Sequence, residues 1–401
     1  MVGDTGGMAL RSRVQHSPTH PTNTPPDGVD RLLLAELTDL IAQHNDWAAT
    51  LRHITVVNAI HPATVRDIAQ LLPHATLTLW NDSCHDAVTL DTALAATQSA
   101  PPDSSQSNRI VRSTSPTLDA ALTPDTTSVL MRLPKTVDTL DDFAHTIAAH
   151  ASPRMRFLAA GRVKYMTTRM NDALAASFAA VTASLGRYKS RALHASMPHT
   201  PLPPARFPQQ ATLATIPIAA YGGVFSGTSL DVGTRFLLST LPTALTDLQS
   251  ARIVDVGCGN GLLGVWIARH HPHVSVTMTD VSAQAVRSAR ATVDLNNVGD
   301  RVSVRWMDAL SQLPDHSADL VVCNPPFHDG TAVTTTPAHR IFADVGRVLT
   351  PGGRMLTVFN TPLAYAPTLR RLVGPTRVLA THAKFTITES VTPGRGPHSS
   401  A

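Results

Sequence analysis

Cysteine is scarce. Three occur in 401 residues, Cys84, Cys258 and Cys323. The count is odd and no pair has metal-ligand spacing, which argues against a disulfide framework and a zinc site and for the reducing cytoplasm. No run of 18 or more apolar residues occurs, so no membrane span is expected. Residues 1–29 lack an apolar core and are rich in Pro, Thr, His and Gly. They fit neither a secretory signal nor a transit helix, and a disordered tail is expected there. The 19 histidines scatter; His16 and His20 are four apart but flank Pro18 in that tail, so no metal site is expected. Nothing in the sequence points to an obligate protein partner.

What is present is enough for two domains. Hydrophobic residues make up 43% of the chain, sufficient for a core in each. Two composition breaks divide it. Residues 101–127, rich in Ser, Thr, Pro and Asp, predict a loop insertion. Residues 197–210 carry Pro198, Pro201, Pro203, Pro204 and Pro208, which remove backbone donors and predict an extended linker. The expected domains are 30–196 and 211–391, with a frayed end at 392–401. The net charge of +4 is small, yet eight basic residues cluster between 151 and 191: Arg154, Arg156, Arg162, Lys164, Arg169, Arg187, Lys189 and Arg191, against one acid, Asp172. A concentrated basic face suits a polyphosphate such as RNA.

The second domain alternates strand and helix patterns. Arg252–Val256, Val274–Thr279, Val302–Trp306 and Leu320–Cys323 read as strands; Leu262–His270 and Ser282–Asn296 read as helices. The alternation predicts a parallel, doubly wound α/β sheet. The first domain repeats part of it. At an offset of 199, Ile54–Val57 falls on Ile253–Val256, Pro73–Leu79 on Pro272–Met278, and Asn81 on Asp280. An internal duplication of one α/β unit is expected. Where the second copy has Gly257, Gly259 and Gly261, the first has Asn58, Ile60 and Pro62. The first copy is therefore expected to keep the fold and lack the ligand site. Its next strand, Ser128–Leu133, leads into Pro134-Lys135-Thr136, where the second copy has Asn324-Pro325-Pro326-Phe327.

The glycine loop follows the strand Arg252–Val256 and precedes a helix. Glycines permit the sharp turn and close approach of a ligand to the backbone, and exposed amides at the helix start favour an anionic group. Asp255 can fix an ammonium group, directly or through water. Asp280, 25 residues later, can accept from two ribose hydroxyls, and Asp308 from an adenine amino group. Gly-x-Gly-x-Gly with a leading Asp resembles the S-adenosylmethionine loop of class I methyltransferases more than a nicotinamide site. Asn324 lies 69 residues after Asp255, a spacing that places Asn-Pro-Pro-Phe at the carboxyl edge of the sheet beside the cofactor. A conjugated amine is a poor nucleophile. The Asn324 side-chain oxygen and the Pro325 backbone oxygen can accept its two hydrogens and aim its lone pair at a methyl carbon. Pro325 and Pro326 stiffen the turn, and Phe327 offers a face for base stacking.

Gly223-Val224-Phe225-Ser226 through Leu230-Asp231-Val232-Gly233, the Asp-Val-Gly-Cys-Gly-Asn-Gly loop, and Asn-Pro-Pro-Phe-His-Asp-Gly at Asn324–Gly330 resemble the bacterial guanine-N2 ribosomal RNA methyltransferases. These comprise the small-subunit methyltransferase C and large-subunit methyltransferase G families. Leu133-Pro134-Lys135-Thr136 and Ala160-Gly161-Arg162 look closer to the large-subunit enzyme, His328-Asp329-Gly330 to the small-subunit one. The resemblance implies two tandem Rossmann-like class I folds, the N-terminal one degenerate and RNA-binding. It implies S-adenosylmethionine contacts at Asp255, Gly257, Gly259, Asp280 and Asp308, to which the spacing adds Gly261. It implies base contacts at Asn324, Pro325 and Phe327, and places Phe225, Ser226 and Asp231 over the cofactor pocket; on its own, Asp231 reads as a helix cap. The expected reaction is methyl transfer to the N2 amine of a guanine in 16S or 23S RNA, with ribosomal RNA or a ribosomal subunit as partner. Methylation of an adenine N6 or protein glutamine through the same motif, and a non-catalytic RNA-binding factor, remain as alternatives.

Overall fold

The structure, a computed structural model, describes residues 25–58, 61–96, 110–246, 248, 250–326 and 336–394. Two seven-stranded sheets carry the chain. The first comprises β1 (His53–Val57), β2 (Thr76–Trp80), β3 (Ile110–Arg112), β4 (Thr126–Arg132), β5 (Arg156–Arg162), β6 (Phe178–Ala183) and β7 (Ser190–Pro198). A hairpin of β8 (Gln209–Leu213) and β9 (Ile216–Ala220) follows. The second comprises β10 (Arg252–Val256), β11 (Ser275–Asp280), β12 (Val302–Trp306), β13 (Ala318–Cys323), β14 (Leu349–Asn360), β15 (Thr376–Thr381) and β16 (Phe385–Val391).

The strand orders are the same: β3-β2-β1-β4-β5-β7-β6 and β12-β11-β10-β13-β14-β16-β15. In each, five strands pair in parallel and the last two antiparallel. The central strands are buried on both faces. In β10, Ile253 packs into one core cluster, Val254 and Val256 into another. That is why this run is almost wholly apolar and why its single acid, Asp255, is only 1% exposed.

Several boundary readings change. Residues 1–24, 101–109 and 395–401 lie outside the described residues. The expected tail 1–29 ends before Asp27, whose carboxylate accepts from the Val29 and Asp30 amides and caps the helix Gly28–Gln43. The expected loop 101–127 contains the edge strand β3 and a turn that buries Leu118, Ala121 and Leu122. Its polar composition concealed them, because a three-residue edge strand needs only one partner. At 392–401, Thr392 is buried and donates to the Gly353 carbonyl at 3.2 Å. The proline stretch 197–210 loses its ends to β7 and β8.

The copies meet through equivalent residues. Ser83 and Ser282, 199 apart, form an antiparallel bridge. The Cys84 amide donates to the Val281 carbonyl (3.0 Å) and, as its counterpart, the Ala283 amide to the Asp82 carbonyl (2.7 Å). Each serine hydroxyl caps its own helix, at the Asp86 and Ala285 amides. The two units are thus related by a local two-fold axis, with the turns after β2 and β11 in contact. Two carboxylates reinforce the contact. Asp82 accepts from the Gln284 amide and the Ser282 hydroxyl, both at 2.9 Å, and burial pushes its carboxyl up to about 6. Asp142 holds the Gln284 side chain and the Gly222 amide.

Candidate active site

The site lies at the carboxyl edge of the second sheet, where open α/β sheets place ligands. Gly257 and Gly259 have φ of +73° and +55°. A Cβ on either would meet nothing within 4 Å, so the loop leaves open space there. Gly261 differs: its Cβ would lie 3.0 Å from the Ala289 Cα, so this glycine lets the loop pack against the helix Ala283–Leu295.

The loop is held from below. Asp280 accepts from the Gly259 amide (3.0 Å) and the Ser282 amide (2.9 Å). Asn260 accepts from the Leu262 amide (3.2 Å), and Asp255 from the Gly264 amide (2.9 Å). Two of the amides expected to face an anion at the helix start are therefore already occupied. The other Asp255 oxygen, Oδ1, is buried with no partner. Burial pushes this carboxyl up to about 7, offset by the Gly264 amide and reinforced by nearby Asp280. An isolated buried carboxylate costs several kcal/mol, and a ligand cation would relieve it.

Asn324 follows β13. Its Nδ2 donates to Asp231 Oδ2 at 3.1 Å and to Thr234 Oγ1 at 3.0 Å. Asp231 also caps the helix Val232–Ala244 through the Thr234 amide (3.0 Å). A carboxylate only accepts, so its presence fixes which end of the amide is NH2. The opposite end, Oδ1, is buried and has no partner. Asp231 is thus both the helix cap and the group that orients Asn324.

Asn324, Asp231, Thr234, Gly257 and Gly259 line one cavity of about 40 Å³, covered by Phe225, Ser226 and Ser229. The cover is tied to the glycine loop by Asn260 Nδ2, 3.0 Å from the Gly227 carbonyl oxygen. The cavity has room for a few water-sized groups. Pro325 is buried, Pro326 exposed, and Phe327 lies outside the described residues, as do His328, Asp329 and Gly330.

Asp308 is engaged from two sides. Its Oδ2 lies 2.9 Å from Nδ1 of His85, a residue of the first copy, and 2.9 Å from Arg340 Nη1. Thr234, Asn260, His85 and Arg340 were not legible as site residues. Thr234, His85 and Arg340 come from distant elements and share no motif with the loops they touch, and Asn260 fills a variable position of the glycine motif.

The basic window divides. Arg156 begins β5 and packs over Trp47, whereas Arg162 ends it, six residues or about 20 Å away. Arg187 is held by Glu36 and Asp39, and Arg162 by Asp27. Arg154, Lys164, Arg169, Lys189 and Arg191 are exposed and make no ion pair among the described residues. Among the described residues there is no metal-ligating cluster and no helix long and apolar enough to cross a membrane.

The orphaned oxygens of Asp255 and Asn324 and the open glycine cradle fit a ligand with a cationic end beside an amine acceptor. Comparison with known proteins agrees. Residues 215–389 match the "Methyltransferase small domain" family and residues 23–199 the "RLMG N-terminal domain" family. The chain is 36% identical over 277 residues to ribosomal RNA large subunit methyltransferase G of Streptomyces coelicolor, spanning 67% of this chain and 73% of that one. It is 34% identical to the protein of the same name from Stutzerimonas stutzeri, spanning 66% and 70%. Its fold resembles that of the T. thermophilus 16S rRNA N2 methyltransferase RsmC, solved with AdoMet and guanosine, with a TM-score of 0.67 at 18% identity over 85% of this chain and 88% of that one.

Fold and site together define an S-adenosylmethionine-dependent methyltransferase with two tandem class I domains. Within that class, the chain belongs to the ribosomal RNA large subunit methyltransferase G family.

Proposed function

We propose that the protein methylates the exocyclic N2 of a guanine in the RNA of the large ribosomal subunit. The observation that carries this reading is the fixed amide of Asn324, whose buried oxygen is unpartnered while its NH2 is held by Asp231 and Thr234. An acceptor pre-placed in this way can take one hydrogen of a guanine N2 amine, and the Pro325 carbonyl the other. The nitrogen lone pair is then turned toward the methyl donor before reaction, a preorganisation worth on the order of 10²–10³ in rate. Gly257, Gly259 and Asp280 would hold the cofactor, Asp255 its cationic end and Asp308 its adenine. When bound, S-adenosylmethionine supplies an electrophilic methyl group. No basic side chain is required, since the alkylated amine loses its proton to water. The target base must leave its stack to reach Asn324, and Phe327 would stack on it.

The test is transfer of label from tritiated S-adenosylmethionine to large- and small-subunit RNA from a strain lacking the gene. Label recovered as N2-methylguanosine in large-subunit RNA, and lost in Asn324→Ala, supports the reading. Label in small-subunit RNA corrects the subunit. Label in protein or as N6-methyladenosine replaces the acceptor, and no label in RNA or in intact subunits overturns the reading.

A further inference from the structure

The first copy has lost its ligand pocket, and the carboxyl edge of its sheet carries something else. Two short turns stand side by side there. One is the helical turn Val163–Tyr165 after β5; the other is the hairpin turn Arg187–Ser190 between β6 and β7. They are joined by the Val163 amide on the Lys189 carbonyl, at 3.1 Å.

Each turn presents an exposed tyrosine backed by a cation. Tyr165 is 52% exposed and Tyr188 49%. Lys164 Nζ lies 4.4 Å from the Tyr165 ring centroid, and the Arg31 guanidinium 4.7 Å from that of Tyr188. Lys189 and Arg191 follow Tyr188 in the chain, both exposed and without ion pairs among the described residues.

The hairpin turn is strained. Arg187 and Ser190 exchange backbone hydrogen bonds of 3.0 and 2.8 Å, and Tyr188 and Lys189 have φ of +54° and +57°. Both central positions are thus left-handed, the geometry that ordinarily selects Asn-Gly. Two large side chains occupy them instead. The turn is also seated: the Tyr188 carbonyl oxygen comes so close to Gly28 that a Cβ there would lie 2.2 Å from it. Strain held in place by its surroundings, with the strained side chains left in solvent, marks a functional surface more often than a structural one.

We infer that Tyr165 and Tyr188 form a stacking platform for unpaired nucleotides of the RNA substrate, with Lys164, Lys189 and Arg191 on the flanking phosphates. This rests on the reading that the substrate is RNA. Aromatic faces take any base, whereas a duplex hides its bases within the stack; the platform therefore selects single-stranded segments by shape rather than by sequence. It also assigns the first copy a task that needs no pocket.

The experiment compares wild-type protein with Tyr165→Ala/Tyr188→Ala, Tyr165→Phe/Tyr188→Phe and Lys189→Ala. Fluorescence anisotropy reads binding to a labelled single-stranded RNA and to a hairpin-closed duplex of equal length. Cofactor binding and the thermal melt serve as fold controls. The alanine pair should weaken single-strand binding at least about tenfold and leave duplex binding unchanged. The phenylalanine pair should bind like wild type, because it keeps the aromatic faces. Lys189→Ala should weaken both RNAs alike and lower the salt slope by about one. Unchanged single-strand affinity in the alanine pair, or an equal loss on both RNAs, overturns the platform even where wild-type protein methylates large-subunit RNA. Wild-type protein that binds neither RNA overturns the functional reading along with it.

Discussion

One shared position on the two carboxyl edges carries side chains of opposite character. Register pairs Val57 with Met131 in the first sheet and Val256 with Cys323 in the second. The next residues, Arg132 and Asn324, are therefore equivalent. Each reaches the aspartate that caps the helix before its central strand. Asp231 takes the Asn324 amide, whereas Asp27 takes Arg132 through two nitrogens, both at 2.9 Å, with Asp30 also 2.9 Å away. Asparagine leaves its side-chain oxygen without a partner. Arginine has no acceptor and fills its surroundings, and the cavity it lines measures about 10 Å³. The same cap thus holds an amide with an unpartnered oxygen in one copy and a guanidinium with no acceptor in the other.

The comparison can be broken most forcefully at Asn324. Asn324→Ala should lower kcat by ~10²–10³ with cofactor affinity retained, measured by single-turnover transfer and calorimetry. Asn324→Arg should abolish transfer, because the guanidinium would pair with Asp231 as Arg132 does with Asp27. An active Asn324→Arg variant would deny the equivalence of the two edges.

Next in size is Asp231. Asp231→Ala should lose the helix cap, about 1 kcal/mol, and lower kcat ~10- to 100-fold through misplacement of Asn324. Asp231→Asn should keep the cap, since asparagine caps well, yet still lower kcat more than it raises KM for the cofactor. Equal loss of kcat and stability in both variants would reduce Asp231 to a cap alone.

Arg132→Asn sharpens the other half. It strands Asp27 and Asp30, and an unfolding free energy lower by about 3 kcal/mol, read from urea titration, is expected. Calorimetry should still give one cofactor per chain, since His61 and Pro62 stand where the second copy has Asn260 and Gly261. A second bound cofactor would show the first copy to be closed by Arg132 only.

The smallest effect is on pH. Asp255, raised to about 7 by burial, keeps in the folded protein a proton that the unfolded chain releases above pH ~4. Stability from this site therefore falls as pH rises from ~4 to 7, and Asp255→Asn should flatten that limb. Asp82, at about 6, acts in the same direction. Asp27 has the opposite sign. Its carboxyl is buried, but Arg132 and the helix amides outweigh that and hold it well below the usual range. Its contribution is present above pH ~4 and lost on acidification. Urea midpoints from pH 3 to 8 should separate the two limbs.

Much of this was legible. Gly257, Gly259, Asp280 and Asn324 were readable because glycines, strand-end acids and a proline turn each have a local cause. The duplication was readable because strand repeats preserve spacing. Other parts were not. The offset of 199 holds through the helix after β2 and changes before β3, so the sequence sets Pro134-Lys135-Thr136 rather than Arg132 opposite the Asn-Pro-Pro-Phe turn; only strand register corrects it. Strand β3 was hidden by its polar surroundings. The basic window read as one face, but a strand carries successive residues away from each other, and β5 separates Arg156 from Arg162. His85, Thr234 and Arg340 owe their positions to chain segments far apart in sequence.

The bridge between Ser83 and Ser282 has one more implication. Contacts that exchange equivalent residues across a two-fold are what identical subunits use to form a closed pair. In such a pair a single gene writes both halves, so an arginine introduced into one pocket appears in the other. Joined in tandem, the halves are free to differ. This chain keeps the closed pairing of a dimer and can still hold Asn324 on one side of the axis and Arg132 on the other.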